Sequence, residues 1–383
     1  MIEGQPLEGI FLNQKRDSLF QQAERELRHE VSIYRLKDRF EGLPNNLGNI
    51  TMLDASNIPG CHYGVRNVFV PIIHHLEEVG FSVKDKYVDI NPDTTILVEP
   101  STGNSWVAFS DAAEMLGYEH IVVMPEGLPE SRYRHPNGRP VKILRTPKEE
   151  YAEGMPKQLQ SLIMQNRRRI ALGQKIYITP NHPISSADIT VKAMADLGRQ
   201  LAAKLQGKAF TFVGSMGNGA SICSIGEYLK ENTDDARVIA TESFNYGGGY
   251  DWYANTHRKP SYKKLYGIDP GNPILMKQFD AFGTNAPIGI ELPLQKRAIE
   301  GGLLDDYSLF TTQATFDVYK SIPGLSQEQI NNASSLPNRN KLPQSLYEAY
   351  GNSTLANIEV ASQYTNEERE IVAIAYDSRK AYS

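Results

Sequence analysis

The sequence predicts an α/β protein built on parallel sheets, and three observations carry that prediction. Its strand-like runs, such as "TTILVEP" (94–100) and "AFTFVGS" (209–215), are continuously apolar rather than alternating, as strands buried on both faces are. Each run is followed by a stretch with helical periodicity. The junctions between them, "PSTGNS" (100–105) and "GSMGNGAS" (214–221), are short, polar and glycine-bearing.

The elements follow in chain order. Residues 14–42 are polar with apolar positions at helical spacing, end in Gly42, and read as one exposed N-terminal helical segment. "NVFVPIIHHLEEVGF" (67–81) is an amphipathic helix that stops near Gly80, with Pro71 tolerated close to its start. A strand over 94–100, a helix over 105–118 and a second short strand "HIVVMP" (120–125) come next. The rhythm returns with a strand at 209–215, a helix at 220–232 and a strand at 236–243. It closes with a helix at 355–364 and a strand at 370–376. Residues 244–290, rich in Gly, Tyr and Lys, break the pattern. They read either as a segment covering a functional site or as an insertion packed on the surface.

With 383 residues the chain exceeds the size at which a single core stops growing, so one large or two medium domains are expected. Apolar residues at 40% and charged residues at 22% are a globular balance with ample core material. A net charge of −5 supplies no basic field, which argues against nucleic acid as a partner. The one dense basic cluster, "NRRRIALGQK" (166–175), reads as a solvated helix end or an anion site. Cys61 and Cys223 are the only cysteines and have no metal or redox spacing, which suits a reducing compartment. The first residues lack the apolar core of a signal peptide, and no apolar run nears the ~20 residues of a membrane span. A cytoplasmic location without membrane attachment is expected.

In a parallel sheet, both glycine-bearing loops would lie at the carboxyl edge, where ligands bind. Glycines let main-chain N–H groups approach an anion, and the following helix adds its positive end. "GSMGNG" thus reads as a phosphate cradle or as a tight strand–helix turn. It lacks the Gly-Lys-Ser/Thr ending of a P-loop, and its G-x-x-G-x-G spacing differs from the dinucleotide pattern. No His, Cys or carboxylate set has metal spacing, no G-x-S-x-G elbow appears, and His74 and His75 fall on a helix face.

Taken together the segments are more specific. "LVEPSTGNSWVAFSDAAEMLGYEHIVVMPEG" closely resembles the substrate-loop region of the fold type II pyridoxal-phosphate enzymes, the cysteine synthase and serine/threonine dehydratase superfamily. "FVGSMGNGASICSIGEYLKE" is similar to the glycine-rich phosphate loop of that superfamily, "LGNITML" (47–53) to its N-terminal element, and "YGNSTLANIEVASQ" (350–363) to its ring-nitrogen segment. The resemblance runs from about residue 45 to the C-terminus. It implies a tryptophan synthase beta-like fold of two parallel-sheet domains with a cleft between them, "PSTGNS" and "GSMGNG" facing each other across it. The expected division is a small domain over 61–173 inserted into a large one made of 1–60 and 174–383.

The resemblance also implies roles. Ser101, Thr102 and Gly103 would bind the substrate, and Asn104 the cofactor's O3′. Gly214, Ser215, Met216, Gly217, Asn218 and Gly219 would hold the phosphate through main-chain N–H groups. Ser353, with Thr354 the near alternative, would meet the pyridine nitrogen. A neutral hydroxyl there leaves the ring unprotonated, which suits β-elimination and replacement. A small amino-acid substrate and a homodimer are implied in the same way.

Such an enzyme needs a lysine to form the Schiff base with pyridoxal 5′-phosphate and to move the Cα proton. The superfamily carries it just before the helix that precedes the substrate loop, yet "GCHYGVRN" (60–67) contains none. Aligning Arg66 with the arginine that follows the lysine puts Gly64 at the lysine's place, with His62 and Tyr63 beside it. "FSVKDK" (81–86) offers Lys84 as the catalytic anchor, but beyond the helix and too near Ser101; Lys37 in "RLKDRFEG" stands too early. The sequence thus leaves two readings: a PLP-dependent lyase or transferase acting on a small amino acid by β- or γ-elimination or replacement, or a relative without the Schiff-base lysine that binds a phosphorylated metabolite or a partner. A nucleotide-binding Rossmann enzyme fits less well, because the glycine spacing is wrong.

Overall fold

The computed structural model describes residues 7–27, 31–56, 66–83, 86–101, 105–128, 130–276, 292–365 and 368–376. The chain divides into two compact units, Met1–Glu30 with Gly60–His182, and Val31–Pro59 with Pro183–Ser383.

The larger unit is organised on a six-stranded sheet. Its strands are β1 (Ser32–Arg35), β2 (Thr51–Asp54), β9 (Phe210–Ser215), β10 (Ala236–Ser243), β11 (Asp306–Phe310) and β12 (Glu370–Ala375). They stand in the order β1-β2-β12-β9-β10-β11, and every neighbouring pair is parallel except the β1–β2 edge. The interior strands β9, β10 and β12 are buried along nearly their whole length, which is what their unbroken apolar runs required. Helix Asn352–Ser362 covers one face, and Leu355, Ala356, Ile358 and Val360 pack with Val213, Ile239 and Ala373 of the sheet.

The smaller unit carries a second, all-parallel sheet in the order β7-β6-β5-β8. Its strands are β5 (Thr95–Pro100), β6 (Glu119–Pro125), β7 (Lys142–Thr146) and β8 (Ile176–Ile178). A separate antiparallel pair, β3 (Phe81–Val83) and β4 (Lys86–Val88), precedes them. Met155, Leu159 and Leu162 of helix Tyr151–Met164 cover Val98, Ile121 and Val123.

Three expectations are corrected here. Residues 14–42 are not one helix: the helix runs Leu7–Leu27, and Ser32–Arg35 is an antiparallel edge strand, since Ile33 and Tyr34 gain more by pairing with Leu53 and Met52. The N-terminal 1–30 belongs to the smaller unit rather than the larger. Arg16 forks onto Glu77 and donates to the Leu116 carbonyl at 2.8 Å, and Phe20 packs on His74 at 4.6 Å between ring centres. The boundary after the small domain falls at His182, not 173, because Ile176–Ile178 pairs with β5 (Thr95↔Ile176). The described part of the 244–290 segment, residues 244–276, is ordered helical structure. Phe244, Tyr262, Tyr266, Ile268 and Leu275 form a cluster with Leu309 and Tyr319 of the larger unit.

Glu370 opens β12 beneath the edge strands, with the Arg35 guanidinium at 2.9 Å and Lys208 at 3.7 Å. Burial alone would raise its carboxyl, but the Thr51 hydroxyl, Arg35 and Lys208 outweigh it and hold the group below its ordinary value. A depressed carboxylate stabilises the fold above its unfolded pKa of about 4.3, and that contribution is lost as pH falls through the folded value. Glu370→Gln is therefore expected to cost stability at neutral pH and nearly none in acid, measured by urea unfolding from about pH 7 to 3. A difference that does not change with pH would refute this.

Candidate functional site

The glycine loop stands where a parallel sheet presents its ligand edge. Strand β9 ends at Ser215, paired with Thr241 of β10, and helix Ala220–Asn232 begins five residues later. Gly217 and Gly219 have φ of +46° and +91°, a region that favours glycine. Space is the second constraint on Gly219, because a Cβ there would sit 2.6 Å from the Leu294 carbonyl carbon and 2.7 Å from the Gln295 nitrogen. The Gln295 side-chain amide in turn donates to the Gly217 carbonyl. Cys223, in the following helix, is tied to the same segment, its thiol reaching the Leu294 carbonyl at 3.0 Å. Burial pushes that thiol up to about 12, which disfavours the thiolate.

The loop's own N–H groups divide into two sets. Ser215 donates to the Tyr376 phenol at 3.0 Å, Met216 to the Thr241 carbonyl at 3.0 Å, and Gly219 to the Met216 carbonyl at 2.7 Å. Ala220 donates to the Asn218 side chain at 3.0 Å. Those bonds build the turn and leave less of the main chain for an anion than a cradle using every residue from Gly214 to Gly219 would need. An anion would be met by Gly217 and by Ser221 and Ile222, whose N–H groups lie in the helix's first turn and have no intrahelical acceptor. Met216 turns its side chain into the core.

Ser353 lies buried in the first turn of helix Asn352–Ser362. The hydroxyl of Thr354 beside it accepts the Tyr376 N–H at 3.1 Å and so holds the end of β12. Asn357, one turn further on, is fully buried. Its carbonyl oxygen accepts the hydroxyls of Ser215 at 3.0 Å and Thr241 at 2.9 Å, and its amide donates to the Ile374 carbonyl at 3.0 Å. One side chain therefore joins β9, β10, β12 and the helix.

In the smaller unit, Ser101 is buried at the end of β5, and its hydroxyl shares a 2.7 Å hydrogen bond with that of Ser105, which opens helix Ser105–Met115. Thr102, Gly103, Asn104 and Lys84 lie outside the described residues, as do His62, Tyr63 and Gly64. Two positions before Ser101, Glu99 is fully buried and accepts His182 Nδ1 at 2.7 Å and the Asn181 N–H at 2.9 Å. Asn181 takes a φ of +42° to make that turn. The His182 ring packs edge-on to Phe69, with ring centres 5.4 Å apart.

Sequence reasoning missed Glu99, His182, Ser105, Gln295, Asn357 and Tyr376. Two had a visible signal: a carboxylate inside the apolar run "ILVEP", and an asparagine inside the apolar helix "TLANIEVA".

A family model described as "Pyridoxal-phosphate dependent enzyme" matches residues 69–266, a span holding both strand-end loops. The chain belongs to that family. Among curated proteins, the family member is 28% identical over 210 residues to the cystathionine beta-synthase of Apis mellifera, covering 51% of this chain and 39% of the relative. It is 28% identical over 182 residues to a probable cysteine synthase of Bacillus subtilis (strain 168), covering 46% of this chain and 53% of the relative. The chain thus spans about half the length, or less, of these relatives. Among solved structures, an O-acetylserine dependent cystathionine beta-synthase from Helicobacter pylori matches with a TM-score of 0.62 at 16% identity, over 94% of this chain and 96% of that one. A hydrogen sulfide-producing enzyme from Fusobacterium nucleatum matches with a TM-score of 0.60 at 17% identity, over 94% and 99%. At those identities the likeness is one of fold, and the fold is that of the fold type II enzymes.

The cofactor of this family is pyridoxal phosphate, and the larger unit offers a donor set suited to its phosphate: positive-φ glycines, hydroxyls and a helix N-terminus. Among the described residues no lysine side chain is buried, and no group of three or more His, Cys, Asp or Glu could hold a metal ion. No helix among them is long and apolar enough to cross a membrane.

Proposed function

We propose that this protein is a pyridoxal-phosphate dependent lyase or transferase that acts on a small amino acid by β-elimination or β-replacement. The observation that carries this reading is the family match over residues 69–266, with the Ser353 hydroxyl buried at the start of helix Asn352–Ser362. A neutral hydroxyl opposite the pyridine nitrogen leaves the ring uncharged and favours expulsion of a β-substituent over prolonged carbanion storage. When bound, the cofactor supplies the electron sink that acidifies the Cα proton.

The remaining work falls to the chain. Gly217 and the first turn of helix Ala220–Asn232 orient the phosphate, and Asn218 shapes the turn by accepting the Ala220 N–H. Ser101, hydrogen-bonded to Ser105, would by resemblance bind the substrate with Thr102 and Gly103, and Asn104 would serve the cofactor's O3′. Lys84 is the proposed anchor and proton carrier. A cytoplasmic homodimer is part of the same reading. Support comes from the family match, the order of the strand-end loops and the relatives named cysteine synthase and cystathionine beta-synthase.

A second reading, a member that binds a phosphorylated metabolite without the anchoring lysine, is favoured by the absence of lysine from residues 60–67. Visible absorbance separates the two. Purified protein saturated with pyridoxal phosphate is expected to be yellow, and borohydride followed by peptide mass spectrometry should place the reduced adduct on Lys84. Lys84→Ala should then lose colour and all turnover of O-acetylserine, the compound named for the Helicobacter pylori structure. Colour that survives Lys84→Ala rejects Lys84 as the anchor, and a colourless wild type rejects the catalytic reading.

A further inference from the structure

We infer that Tyr376 is a positioning residue of the phosphate site: its phenol holds the start of the glycine loop, while its backbone couples that loop to the helix that carries Ser353. The inference rests on the pyridoxal-phosphate reading and adds a residue that lies far from the glycine loop in sequence. Tyr376 follows the last residue of β12, and its side chain is buried beneath the loop. The phenol oxygen takes the Ser215 N–H at 3.0 Å, and the side chains of Ser221 and Asn357 act on it from close by, favouring its charged form against burial. Ser215 ends the strand that leads into the loop, and Ser221 stands in the first turn of the helix that leaves it. The phenol therefore sits between the two ends of the phosphate loop.

Its backbone faces the other way. The Tyr376 N–H donates to the Thr354 hydroxyl at 3.1 Å, next to Ser353. Asn357 runs parallel to this link and ties the same helix to Ser215 and Thr241. The glycine loop and the ring-nitrogen helix thus share one buried hydrogen-bond network, and Tyr376 belongs to both halves.

The chemistry suits an anion. Burial pushes the phenol up to about 12, so it stays neutral at ordinary pH. A neutral phenol beneath the loop anchors it without placing a like charge near a phosphate. The phenol accepts from Ser215, so the loop cannot shift without breaking that bond. Phenylalanine keeps the ring's packing and deletes only the oxygen, leaving the Ser215 N–H without its acceptor.

The test compares two ligands on the full-length protein. Tyr376→Phe is expected to weaken pyridoxal 5′-phosphate about tenfold, read by fluorescence titration, and to leave the affinity for pyridoxal, which has no phosphate, within about twofold. Equal weakening of both ligands would mean that Tyr376 merely supports the fold, and unchanged binding of both would equally overturn the inference. Wild type that binds neither ligand overturns the pyridoxal-phosphate reading itself, so the two failures are distinguishable. If Tyr376→Phe does not fold, 3-fluorotyrosine placed at position 376 decides: its fluorine resonance should shift on saturation with pyridoxal 5′-phosphate but not with pyridoxal. A resonance that ignores both ligands, or shifts alike with both, refutes the inference.

Discussion

His182→Ala is expected to destabilise the protein by about 3–5 kcal/mol, because it takes from the buried Glu99 side chain one of its two hydrogen-bonding partners. Glu99 is fully buried on β5, and His182 Nδ1 lies 2.7 Å from it. Among the described residues only the Asn181 N–H, at 2.9 Å, still donates to it once the ring is gone. The substitution also removes the edge-on packing against Phe69. His182→Asn keeps a donor and should recover part of the loss, and Glu99→Gln in the His182→Asn background should recover more by removing the charge. Urea unfolding of the full chain measures all three. A cost below about 1 kcal/mol for His182→Ala would show that the pair contributes little. The effect should reach the substrate loop as well, since Glu99 stands two residues before Ser101 on the same strand.

Gly217→Asp is expected to abolish pyridoxal-phosphate binding while leaving the fold largely intact. Gly217 sits at φ +46°, a conformation that Asp and Asn tolerate better than other side chains do. A carboxylate placed about 4 Å from a bound phosphate, at an effective dielectric near 20, costs about 4 kcal/mol, or about a thousandfold in affinity. Gly217→Asn is the matching control. It has nearly the same shape and no charge, and should lose far less. Binding of pyridoxal 5′-phosphate to both variants, followed by absorbance, separates charge from strain. If Gly217→Asp binds like wild type, the loop is a turn and the phosphate lies elsewhere.

How far the site was legible depends on the range of the interactions that make it. "GSMGNG" advertises itself because a strand, a tight turn and a helix start all leave local marks: an apolar run, positive-φ glycines and a periodic stretch. Ser353 was reached by resemblance, and the hydrogen bond of its neighbour Thr354 to Tyr376, 22 positions away in the chain, was not legible locally. Lys84 follows the Arg66–Val79 helix and is flanked by the strands Phe81–Val83 and Lys86–Val88, whose Ser82 and Tyr87 are exposed. Its assignment as anchor rests on a Ser-x-Lys-Asp match alone.

The α/β class, the strands at 94–100, 209–215, 236–243 and 370–376, and the two strand-end loops were determined by sequence alone, because burial on both faces and turn chemistry act over a few neighbouring residues. Only the tertiary structure decided the rest. It assigned the Leu7–Leu27 helix to the smaller unit through Arg16, Glu77 and Leu116, and turned Ser32–Arg35 into an edge strand through pairing with Thr51–Asp54. It buried Glu99 against His182, and gathered Ser215, Thr241, Asn357 and Tyr376 into one network. Each of these outcomes depends on a partner distant in the chain. A buried polar group leaves little mark on local periodicity, and its cost is offset only when folding brings that partner within hydrogen-bond reach.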